Sequence, residues 1–475
     1  MGSSKHVEGE RMLRQKLLVT GLVLLAGTAA CAQGRAAAPG TAATTAARKP
    51  GAQVRTKTLK NGLKVIVWAD PDNPSVALYN WFRVGSRNER PGITGLSHFF
   101  EHMMFNGAKK YGPGEFDRVM EAHGGRNNAY TSEDVTVYQD WFPRSALEKI
   151  FDLEADRLRD LAIDPKVVES ERGVVYSERR SSVDNDNNGL LMEQVQATAF
   201  VAHPYQFPVI GWPSDIESWK QADLERYFRT YYAPNNATLI VVGAVTPEEI
   251  FSLAEKYLEP IPAQPEPEPV RTLEPPQQGE RRVVVRKLAQ APLLQMAFHG
   301  LKASDADAPA LDLLVRILTE GDSSRLHRRL VEEEQVAINV GGYRGAGFDP
   351  SLTWMLVDLP PGGDPGKAEA LLDEELAKAV SAGVSDAELR KAKNIAVAEF
   401  WRSLETNSGR AQALGTYEVF HGDWQKLFSA PERYEAVTRE QVRKVAARVF
   451  ARNNRSVGVL VPEAAADEAK KEAAR

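Results

Sequence analysis

The sequence predicts an α+β fold of two homologous domains, and three observations carry that prediction. Two helix-turn-strand stretches, one near residue 230 and one near 450, match at a constant offset of 218 residues. A proline-rich break at 261–280 separates them. On both sides of the break, extended β-branched runs and amphipathic helical runs are segregated as in α+β sheets. The length, 475 residues, suits two or three domains. With 43% hydrophobic residues there is ample material for two cores, and Asp plus Glu (64) outnumber Lys plus Arg (59), which argues against a nucleic-acid binder.

The first 33 residues have the order of an export signal. Arg14 and Lys16 supply a basic stretch, Leu17 to Ala26 a short apolar run, and Thr28-Ala29-Ala30-Cys31-Ala32 the small residues of a cleavage point. The apolar run is too short to span a bilayer comfortably, and Met12 is a second candidate start. Cys31, the only cysteine, is either a lipid-anchor site or is removed by cleavage after Ala32, and no structural disulfide is expected. The expected location is exported: periplasmic, or an outer-membrane-anchored lipoprotein of a Gram-negative-type bacterium.

Residues 34–53, rich in Ala, Thr, Pro and Gly, read as a flexible tether. Ordered structure is expected from Val54, with a turn at Lys60-Asn61-Gly62-Leu63 and strands at Lys64–Trp68 and Val76–Val84. Helical patterns follow at 94–105, 114–123, 143–161 and 165–181. This makes 54–260 one domain, 261–280 an extended linker whose prolines fit neither a helix nor a central strand, 281–462 a second domain, and 463–475 a charged tail. The repeat runs through Tyr232-Ala233-Pro234-Asn235-Asn236 and its counterpart Phe450-Ala451-Arg452-Asn453-Asn454.

His98-Phe99-Phe100-Glu101-His102 carries the chemistry. Residues four apart share a helix face, so both imidazoles can address one ion, with Glu101 beside them. The order His-x-x-Glu-His inverts the common zinc-protease motif. A catalytic zinc needs a third protein ligand and a position left for water. The acidic helix around residues 167–180 offers Glu169, Glu171 and Glu178, and spacing alone does not choose among them.

With Gly95–Phe105, Asn128-Ala129-Tyr130-Thr131, the Glu171/Glu178 pair and His203-Pro204-Tyr205 taken together, the sequence resembles the pitrilysin (M16) family of zinc peptidases. The likeness is strongest to its shorter branch, which includes mitochondrial processing peptidase subunits. The resemblance implies two similar domains, each a mostly antiparallel sheet packed with helices. It also implies one Zn2+ per chain held by His98, His102 and Glu178, with Glu171 supporting the site from behind a ligand. Glu101 becomes the general base of a metalloendopeptidase acting on peptides or unfolded polypeptides. Asn128, Ala129, Tyr130 and Thr131 become a substrate-binding edge strand. The metal used in the cell is left open between zinc and another divalent ion that accepts nitrogen and oxygen ligands.

One departure from the family pattern stands out. Active relatives use an Arg and, seven residues later, a Tyr from a C-terminal domain copy, and Val331 and Ile338 stand in those positions here. The chain is therefore expected to be the zinc-bearing subunit of a two-chain enzyme, a heterodimer in preference to a homodimer, whose partner supplies the Arg/Tyr pair. The rival readings are a non-catalytic structural subunit and a peptide-binding protein with structural zinc.

Overall fold

The computed structural model describes residues 51 and 53–463. The export signal with Cys31, nearly all of the tether, and the tail beyond residue 463 lie outside the described residues. Among the described residues no helix is long and apolar enough to cross a membrane.

Six strands build the first sheet: β1 (Val54–Thr58), β2 (Lys64–Ala69), β3 (Ser75–Phe82), β4 (Arg126–Thr131), β5 (Thr136–Pro143) and β6 (Ala237–Gly243). Their order is β1-β2-β6-β3-β5-β4, with β2 and β6 parallel and every other pair antiparallel. The second sheet contains β7 (Arg281–Leu288), β8 (Leu293–His299), β9 (Asn339–Arg344), β10 (Leu352–Asp358) and β11 (Arg455–Glu463) in the order β7-β11-β8-β10-β9, again with one parallel pair, β7 with β11. Without β1 the two orders coincide, so the repeat is structural as well as sequential.

The first half carries α1 (Leu96–Met103), α2 (Glu115–Ala122), α3 (Leu147–Asp160), α4 (Pro165–Arg179), α5 (Asn187–Ala199), α6 (Pro213–Ser218), α7 (Gln221–Tyr231) and α8 (Pro247–Tyr257). The second carries α9 (Ala308–Thr319), α10 (Pro365–Ser381), α11 (Asp386–Ser403), α12 (Asn407–His421), α13 (Ala430–Glu435) and α14 (Arg439–Val449). The helix read over 143–161 begins only at Leu147. Pro143 instead closes β5 opposite Ser75, where its missing N–H costs nothing at the strand end. The helix read to Ser181 ends at Arg179 and continues as one π-helical turn, Arg180–Asp184. Between Pro262 and Glu280 the chain forms no regular element, but it is anchored. The Glu274 carboxylate accepts the backbone N–H groups of Val201, Ala202 and His203 at 2.9–3.1 Å.

Each half lends a helix to the other. In the first half, α5 buries Leu191, Val195 and Ala199 against Leu293, Ala297, Trp354 and Leu460 of the second sheet. From the second half, α12 buries Ala411 and Leu414 against Ile66, Tyr79, Trp81 and Ile240 of the first. Glycines set the spacing at both crossings. A Cβ at Gly415 would lie 2.0 Å from the Trp81 ring, and one at Gly458 would lie 2.2 Å from Val195. A methyl group there has no room, because interiors are close-packed. Gly415→Ala is therefore expected to cost about 1–3 kcal/mol through overpacking, read as a lowered Tm in thermal denaturation. A Tm equal to wild type would show that the crossing is slack.

Candidate metal centre

The eight residues of α1 are amphipathic, with Leu96, Phe99, Phe100 and Met103 buried in the core of the first half. Gly95 precedes them at φ 88°, and a Cβ there would strike Ile210 O at 2.6 Å. The N-terminal N–H groups of α1 meet the buried Glu89 carboxylate, which accepts from Gly95 N (2.6 Å) and Ser97 N (2.7 Å). Burial pushes the Glu89 carboxyl up to about 8, against the pull of those two N–H groups. Further along, Tyr138 donates to Phe100 O at 2.8 Å. The helix is thus fixed at its start and its middle, which sets the direction of His98 and His102.

The third group comes from α4. Its start is set by Asp164, whose side chain accepts from Lys166 N, with Pro165 at the first helical position. Near its end, the buried Arg179 forks onto Glu193 of α5 (2.7 and 3.0 Å) and donates to Gly211 O (2.8 Å). That grip holds the neighbouring Glu178 over α1. Glu178 Oε2 lies 3.2 Å from His102 Nε2, and Glu178 Oε1 lies 3.8 Å from His98 Nε2. One ligand atom from each of these residues falls within 4.8 Å of the others. Zinc bonds of about 2.0–2.1 Å in tetrahedral directions place ligand atoms roughly 3.3 Å apart, so this N, N, O set fits a zinc ion.

Glu171, two turns earlier, meets His102 Nδ1 at 2.7 Å and leaves Nε2 directed at Glu178. Burial opposes charge on His102, but the Glu171 and Glu178 carboxylates outweigh it and hold the imidazole up at about 9. The same field favours a metal cation. Glu169 is 78% exposed and pairs with Arg172 instead. Of the three glutamates that spacing left open, Glu178 is the one whose carboxylate faces both imidazoles.

Glu101 turns toward β4, where the Thr131 hydroxyl donates to its Oε2 at 2.7 Å. β4 is the edge of the first sheet, paired to β5 on one side only. Ala129 packs against the core beneath α1. Tyr130 points to the opposite face, edge-on to Trp81 (6.3 Å), and its hydroxyl accepts from Gln412 of α12 (2.9 Å). Asn128 lies opposite Gln139 of β5. Thr131→Val is expected to lower turnover by about tenfold, the loss of one hydrogen bond to a charged group, with zinc content unchanged. Unchanged kinetics would dismiss Thr131 as the group that orients Glu101.

Sequence reasoning missed the roles of Glu89, Arg179 and Glu193. Each acts across a gap in sequence that no capping or helical spacing rule covers. In the second half, α9 carries Leu313, Leu314, Ile317 and Leu318 in a buried apolar face with no imidazole among them. Val331 packs against the second core, and Ile338 is 61% exposed. A cavity of about 250 Å3 lined by His203, Glu274, His299 and Asp349 includes none of the metal-centre residues. The metal centre opens directly to solvent, with the Glu178 side chain 44% exposed.

Two like halves, with an inverted His-x-x-Glu-His helix and a distant glutamate in one of them, match the pattern expected of a zinc-metallopeptidase family. The chain belongs to peptidase family M16. A family model described as "Insulinase (Peptidase family M16)" matches residues 64–211, and one described as "Peptidase M16 inactive domain" matches residues 218–396. The chain is 34% identical to the zinc protease PqqE of Helicobacter pylori, over 78% of this chain and 86% of that protein. It is 24% identical to a probable mitochondrial-processing peptidase subunit beta of Arabidopsis thaliana, over 83% of this chain and 76% of that one. Among solved structures, a protease from Helicobacter pylori superposes with a TM-score of 0.83 at 29% identity, covering 86% of this chain and 99% of that chain.

Proposed function

We propose that this chain is the zinc-bearing subunit of a metalloendopeptidase that cuts peptides or unfolded polypeptides. The observation that carries the reading is the meeting of His98, His102 and Glu178 on one side of Glu101, beside an open sheet edge. His98, His102 and Glu178 would hold one zinc ion, which when bound polarises a carbonyl and makes water more acidic. Glu101 takes the proton of the attacking water at a carboxylate oxygen and passes it to the leaving nitrogen. Thr131 holds that carboxylate in line, and Glu171 keeps the His102 ring oriented. The free edge of β4 binds the substrate backbone as an added strand, which suits extended chains and rejects folded ones.

Val331 and Ile338 offer no group to the substrate carbonyl, so a homologous partner chain supplies the Arg/Tyr pair. Consistent with this, the mitochondrial relative is named as a beta subunit. The N-terminal segment directs export to the periplasm or, through Cys31, to a lipid anchor. The test is cleavage of a quenched fluorogenic peptide by the purified chain, alone and mixed with a co-expressed homologue carrying Arg and Tyr, with and without a chelator. Chelator-sensitive cleavage that needs the mixture is expected. Full activity from the chain alone would remove the partner. Zinc-free protein with no cleavage in either arm would favour a non-catalytic subunit, the reading to which Val331 and Ile338 lend weight.

A further inference from the structure

The last turn of α12, the start of α9, α13 and the end of β9 line a solvent-open cavity of about 60 Å3 in the second half. Arg344 forks onto Asp312 there, and Tyr434 donates to the same carboxylate at 3.1 Å, so this cation and anion cancel. Arg433, which also lines the cavity, has no such counterpart. Among the described residues no carboxylate lies within ion-pair distance of its guanidinium and no acceptor takes its N–H groups; its neighbours are the rings of Tyr417 and His421. These two rings stack at 4.7 Å, and the Tyr417 hydroxyl bonds to no described residue. Burial, with Arg433, Lys426 and Arg344 nearby, pushes His421 down to about 4, so its imidazole is neutral at pH 7.

Arg433 is part-buried with no acceptor among the described residues, and its planar fork of N–H donors matches the two oxygens of an oxyanion. We propose that this cavity binds one small oxyanion, a phosphate or a single carboxylate group, held bidentately by Arg433 with Tyr417 and His421 as further hydrogen-bonding partners. Because Tyr417 and His421 belong to α12, the helix that covers the first sheet, the bound anion ties that helix to α9 and β9 of the second half. The cavity volume admits one such group.

The experiment is thermal denaturation and titration calorimetry on the zinc-loaded full chain. Sodium phosphate and sodium acetate are compared in separate arms with sodium chloride at equal ionic strength, and zinc content is measured before and after. A ligand that binds only the folded state raises Tm with concentration. The expected result is a rise above the chloride control with one site per chain, lost or weakened by roughly tenfold in Arg433→Gln. Arg433→Lys should retain part of the effect, and the exposed control Arg402→Gln should retain all of it. A larger effect of phosphate assigns the site to phosphate, and a larger effect of acetate assigns it to a carboxylate end. No rise above chloride in either arm overturns the proposal, as does an equal rise in Arg433→Gln. Should Arg433→Gln fail to fold, a full-strength response in Arg433→Lys at both anions would overturn the bidentate grip. None of these outcomes depends on peptide cleavage.

Discussion

Glu101→Gln is expected to lower kcat by about 10^2–10^4-fold, the range set by loss of a general base, while zinc content stays at the wild-type value. The amide keeps the shape of the side chain and can still accept from Thr131. It cannot take a proton. The separation of metal content from turnover is what makes the variant informative, because Glu101 sits beside the ligand cluster without belonging to it. Zinc by atomic spectroscopy and peptide cleavage in the presence of the partner chain give the two readings. Cleavage within a few fold of wild type would take the base role away from Glu101.

The second large effect is on the metal itself. Glu178→Gln is expected to weaken zinc binding by more than the roughly 10–100-fold typical of a supporting residue, and Glu171→Gln by an amount within that range. The difference follows from where the two carboxylates point. Glu178 faces the Nε2 atoms of both imidazoles, whereas Glu171 meets Nδ1 of His102 and acts by fixing the ring. Glu169→Gln, on the exposed side of the same helix, should leave affinity unchanged. Competition against a chromogenic chelator measures all three. Wild-type affinity in Glu178→Gln, with loss in Glu169→Gln, would mean that the ligand set has been assigned to the wrong side of α4.

Much of this site was legible in the sequence because its main signal is local. His98, Glu101 and His102 lie within five residues, and the 3.6-residue period of a helix places them together whatever the rest of the chain does. Glu171 and Glu178 are likewise seven apart on one helix, so their shared face could be read, though not what it faces. The path of α4 relative to α1 depends on Arg179 gripping Glu193 and on the close approach of Gly95 to Gly211. Those contacts join residues 14 and 116 positions apart, and nothing in the spacing of the sequence announces them. The role of Thr131 was hidden for a different reason. As a strand residue it belongs to an alternating pattern, and only the position of α1 over β4 determines which of its neighbours meets a carboxylate.

The fold divides in the same way. The 218-residue offset and the proline-rich break, both visible in one dimension, determined that there are two like halves and roughly where each begins. That α5 and α12 cross over, each covering the sheet of the opposite half, was decided by tertiary packing alone. An amphipathic helix specifies that one face must be buried but not by which surface. The choice of surface rests on shape, on Gly415 lying flat against Trp81 and Gly458 beneath Val195. The sequence by itself thus determined the chemistry that one helix carries and the repetition of the fold. Only the three-dimensional structure decided which distant carboxylate meets the two imidazoles, because long-range contacts depend on packing complementarity, which has no period to read.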